Sequence, residues 1–130
     1  MEAFLNQQEL YFTPLSGTFE VERVADAILS IRLSVRDEIV PSMFLIFLDE
    51  ESRDVHLARR RSNPSTPLPY VLLIQVEPHE ICVDQFAGRD HAEQSRTFLT
   101  WLANNHACRL RNEEGTDLTA EWKEFERRPR

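Results

Sequence analysis

His106 and Cys108 stand two residues apart and His79 and Cys82 three apart, the only places where this chain sets an imidazole close to a thiol. On a strand, residues two apart share a face, so His106 could act as base for a Cys108 nucleophile, with Asp117 as an orienting carboxylate. That would be a small thiol-dependent hydrolase or transferase. The simpler reading makes Cys108 a core thiol, because buried cysteines are ordinarily inert. His79 and Cys82 span a turn, which puts Cys82 on a strand face beside Glu80 and Asp84 and offers at most a thiol switch. Neither pair has the spacing of a zinc site, so no metal and no cofactor is expected.

Carboxylates cluster most densely in DEESRD, where Asp49, Glu50, Glu51 and Asp54 fall within six residues. A calcium loop needs Gly at its sixth position and Glu at its twelfth, but the chain has Asp54 and Arg60 there. The stretch reads as a solvated hairpin turn whose charge could meet a basic partner. The following Arg59, Arg60 and Arg61 then read as exposed ion-pairing residues of little energetic weight. The three glycines, Gly17, Gly88 and Gly115, are isolated, so no loop lets backbone amides close around a phosphate. No G-x-S-x-G or H-E-x-x-H motif is present.

A formal net charge of −7 argues against a polyanionic partner, since nucleic-acid binding rests on Lys and Arg neutralising phosphates. No apolar run approaches the roughly 20 residues of a membrane helix, and MEAFLNQQELYF has neither the basic start nor the apolar core of a signal peptide. A cytoplasmic protein with reduced cysteines is the expectation. The gross profile, a small acidic α+β domain without a catalytic signature, resembles that of toxin-neutralising immunity proteins, adaptors and secretion chaperones. The resemblance is one of class and rests on no motif. The expected function is a non-enzymatic protein-binding module that uses Asp49, Glu50, Glu51 and Asp54 against another protein with a basic surface; the thiol enzyme is the alternative.

The elements that would position these residues follow from periodicity. Tyr70 to Val76 and Glu80 to Phe86 read as a hairpin around Pro78 and His79, with Val76 opposite Ile81, Ile74 opposite Val83 and Leu72 opposite Gln85. Val21, Val24, Ala25, Ile28 and Leu29 carry helical spacing and predict a helix over 19–30, capped by Thr18. Ile31 to Pro41 reads as a connection, and Met43 to Leu48 as a strand forming a second hairpin with Val55 to Ala58. The run 62–69, with three prolines, predicts a loop. Asp90 and Glu93 suggest a capped helix to about Ala103, Cys108 and Leu110 a last strand, and LTAEWKEFERR a terminal helix. Residues 1–17 read as a docked arm with a short strand near Tyr11.

Together these predict one α+β domain over 1–130, a single antiparallel sheet built from hairpins with two or three helices mainly on one face. The sheet's second face then carries Val71, Leu73, Cys82 and Phe86 among polar residues and needs partial cover. Phe4, Leu5, Tyr11 and Phe12 of the arm, or Trp122 and Phe125 of the terminal helix, are the expected cover. A monomer follows, with a homodimer as the other solution.

Overall fold

The computed structural model describes residues 8–62, 70–85 and 92–127, apart from the side chains of 92 and 124–127. In chain order the elements are β1 (Glu9–Pro14), α1 (Val21–Leu29), β2 (Ser34–Arg36), β3 (Met43–Phe47), α2 (Glu50–Arg59), β4 (Tyr70–Val76), β5 (Ile81–Gln85), α3 (Ala92–Asn105), β6 (Cys108–Asn112) and α4 (Thr119–Arg127). The strands form one antiparallel sheet in the order β2-β3-β4-β5-β1-β6. Its centre is the hairpin of β4 and β5, in the register that alternation predicts: Val76 opposite Ile81, Ile74 opposite Val83, Leu72 opposite Gln85. The Glu77 amide closes the turn on the Glu80 carbonyl at 2.9 Å.

Five expectations are corrected. The strand expected near Tyr11 is present as β1, but it is an interior strand and not part of a docked arm, since it pairs with β5 on one side and β6 on the other. DEESRD is the start of α2, because the Asp49 carboxylate accepts the Ser52 amide at 2.7 Å and fixes a helix N-terminus where a turn was expected. Val55 to Ala58 are therefore helical, and the partners of β3 are β2 and β4. Ile31 to Pro41 contains β2, reached through Leu33 at φ 66°. Lastly, α1 starts at Val21 with Glu20 as its cap residue; Thr18 is not the cap, and the buried Phe19 instead ties its amide to the Pro78 carbonyl at 2.8 Å. The 63–69 loop, the Asp90 cap, Phe4, Leu5, Phe86 and Phe125 fall outside the described side chains.

Period-2 alternation sorts the strands into two faces. On one, Leu10 and Phe12 of β1, Phe44 and Ile46 of β3, Leu72 and Ile74 of β4 and Leu110 of β6 meet Ile28 of α1, Leu99 of α3 and Trp122 of α4. Trp122 stands edge-on to Phe12, with ring centroids 5.2 Å apart. Phe12 and Trp122 thus belong to the main core and do not cover the second face as expected; among the described residues named for that cover, Tyr11 reaches it. On that second face Leu45 and Phe47 form a smaller cluster with Leu33, with Val35, Met43, Tyr70 and Leu73 packed against it. There α2 lies over β3, with His56 against Phe47.

Candidate functional site

A surface helix normally turns its apolar stripe inward and its charges outward. Helix α2 does the reverse. Its buried side chain is His56, 2% exposed, followed one turn on by Arg60, 7% exposed, at the helix end. Val55 and Leu57 are 38% and 48% exposed, and Leu48, just before the cap, is exposed as well. At 100° per residue, Glu50, Asp54, Ala58 and Glu51 lie between Leu57 and Val55 around the outer surface, so carboxylates alternate with apolar contacts. Glu50 reaches Arg32 only loosely, at 3.8 Å, and Asp54 pairs with its neighbour Arg53 at 3.2 Å. Asp49 is occupied by the cap, and the Ser52 amide and hydroxyl hold its carboxyl below the usual range.

The inward side of α2 is held by charge. Arg60 donates from Nε to Asp37 Oδ1 at 2.7 Å and from Nη2 to Oδ2 at 3.0 Å. The Val40 and Ile39 amides donate to the same Oδ2 at 2.7 and 3.2 Å. Asp37, 2% exposed, thereby clamps the tip of the β2–β3 hairpin to the C-terminus of α2. Burial alone would raise its carboxyl, but the guanidinium and the two amides hold it below the usual carboxylate range. His56 Nε2 lies 3.7 Å from Asp37 Oδ1, beyond hydrogen-bond distance, and Nδ1 is buried with no partner. Burial keeps this imidazole below its ordinary pKa; Asp37 pulls upward and Arg60 downward. Arg60 therefore departs from the expectation of exposed arginines, whereas Arg61 pairs with Glu38 at the surface, at 2.9 Å.

The residues of the thiol alternative are not assembled into a triad. The His106 ring sits edge-on to Phe19 at 5.5 Å and beside Trp101 at 5.7 Å, with Nε2 unpartnered. No hydrogen bond joins it to Cys108 among the described residues. Cys108 is 1% exposed, and burial pushes its thiol up to about 11. Cys108 and Asp117 do border one shallow pocket of about 500 Å³ with Arg109, Thr119 and Lys123. Asp117 is engaged there in accepting the Thr119 amide at 2.8 Å, which opens α4. His79 is exposed in its turn. Cys82 lies on the second sheet face opposite Gln75 and Tyr11; burial first, then Glu9 and Asp84, push its thiol to about 11. Those two carboxylates stand directly opposite each other on β1 and β5, and burial together with Glu9 raises Asp84. The Tyr11 hydroxyl donates to Glu9. The second face is therefore acidic beyond α2 as well.

Comparison with protein families, with curated proteins and with solved structures returns no match to this chain.

Proposed function

We propose that this protein is a non-enzymatic protein-binding module whose partner docks on the outer surface of α2. The inverted helix carries the proposal: Val55 and Leu57 face solvent while His56 and Arg60 face the sheet. Among the described residues Val55 and Leu57 stay substantially exposed, and an interface would use them as apolar anchors. Glu50, Glu51 and Asp54 lie between those anchors, and the net charge of −7 has the same sign, so the fitting partner is a protein that sets basic groups between two apolar contacts. Such complementarity steers encounter and rejects like-charged competitors. The acidic field also disfavours nucleic acid.

The test is capture from the native host extract at low and high salt, with wild type beside two variants. One reverses charge (Glu50→Lys, Glu51→Lys, Asp54→Lys) and the other removes the anchors (Val55→Ala, Leu57→Ala). A protein held by wild type at low salt, weakened by salt and by charge reversal and lost from the anchor variant, is the expected result. Equal recovery on all three would overturn the proposal.

A further inference from the structure

We infer that Asp37, His56 and Arg60 form an acid-sensitive latch, which holds α2 on the sheet near neutral pH and releases it when His56 takes up a proton. The inference rests on α2 as the binding surface and adds its regulation.

The latch stands on the hydrogen-bond geometry around His56. Facing the imidazole are Asp37 and Glu38 from the β2–β3 turn, Arg60 from α2 itself and the apolar ring of Phe47 from β3. Asp37 already carries four hydrogen bonds: Oδ1 takes Arg60 Nε, and Oδ2 takes Arg60 Nη2 and two backbone amides. Glu38 is engaged by Arg61 at 3.0 Å. An imidazolium would thus be a second buried cation sharing one committed carboxylate. Its Nδ1 would become a donor with no acceptor, in a place water does not reach.

Protonation can be relieved by opening. Among the described residues α2 buries no apolar side chain, and the buried contacts that hold it down are this cluster and the Phe47 ring. Local release ahead of the sheet follows, because the β4–β5 hairpin belongs to the large core and α2 does not. The sign is that of a group whose folded pKa is depressed. The stabilisation is complete above the unfolded value of about 6.5 and is lost as pH falls through the lower folded value. Release would uncover Phe47 and Leu45 and disperse the carboxylates and anchors that α2 displays. A partner bound at neutral pH would then leave in an acidic environment.

Amide hydrogen exchange read by mass spectrometry at pH 7.5, 6.0 and 5.0, corrected for intrinsic rates, tests the latch. In wild type the amides of 53–60 should open more as pH falls, by up to about thirtyfold at pH 5, the limit for one proton and an open-state pKa near 6.5. The β4 and β5 amides should stay protected. His56→Phe keeps a ring on Phe47 and cannot titrate; it should abolish the pH response, and His56→Leu serves if Phe proves too large. Unchanged α2 protection in wild type, simultaneous opening of α2 and the sheet, or the same response in both variants would each overturn the inference. No partner is present in this experiment, so its outcome is independent of whether the capture succeeds.

Discussion

Replacing Asp37 by Ala removes one carboxylate that makes four hydrogen bonds, two to Arg60 and two to the Val40 and Ile39 amides. The amides lie in an exposed turn, where water can replace the lost acceptor. Water reaches the guanidinium poorly, since the Arg60 side chain is 8% exposed. Removing one member of a buried pair costs about 3–5 kcal/mol. For a chain of this length that corresponds to a fall in melting temperature of roughly 11–18 °C. Arg60→Ala should cost less, about 2 kcal/mol, because the stranded carboxylate keeps two amide donors and gains a neighbouring imidazole free to protonate. The double variant should cost less than the sum, with a coupling of about 1–3 kcal/mol. Urea unfolding followed by the fluorescence of Trp101 and Trp122 measures all three, and imidazole NMR should find His56 titrating higher in Arg60→Ala than in wild type. The Asp37 contribution has its own pH window: its depressed carboxyl stabilises above the unfolded value near 4, and the effect fades as pH falls through the folded value. A cost below about 1 kcal/mol for Asp37→Ala, or strict additivity in the double variant, would refute the view that this pair holds α2.

Deleting residues 1–12 removes most of β1 and severs the ladders to β5 and β6 together, so circular dichroism should find no cooperative thermal transition; an unchanged melting temperature would show that β1 is dispensable. Iodoacetamide near neutral pH should label neither cysteine in the native protein and both in urea, because raising a thiol from 9.0 to about 11 leaves about a hundredfold less thiolate. Fast labelling of native Cys108 would restore the case for a nucleophile.

The central hairpin was legible because its strands are neighbours in sequence and its register is fixed by alternation on both sides of one turn. The place of β1 was not. Leu10, Tyr11 and Phe12 alternate as they would at a sheet edge, and nothing local records that β5 and β6, some 70 and 100 residues onward, close on either side. Helix α2 was misread for a different reason. Hydrophobic periodicity finds a helix by the apolar residues it buries, and the only alternation on offer here, Val55 and Leu57, belongs to the exposed side. Two local signals pointed the other way: Asp49 three residues before Ser52, and His56 four residues before Arg60, a spacing that puts both on one helix face.

The same inversion hid Asp37. Arg36, Asp37 and Glu38 read as a solvated turn, because a run of charges is solvated unless a distant cation arrives to neutralise it, and Arg60 lies 23 residues away. A sequence in which a helix packs through its charges and exposes its apolar residues contradicts the ordinary folding pattern at one place. Such local contradictions concentrate where function, not stability, has set the residues. Apolar packing would have held α2 more firmly and at every pH. A charged seam instead makes the attachment depend on which groups carry protons, so the feature that made α2 hardest to find is the one that suits it to the proposed binding and release.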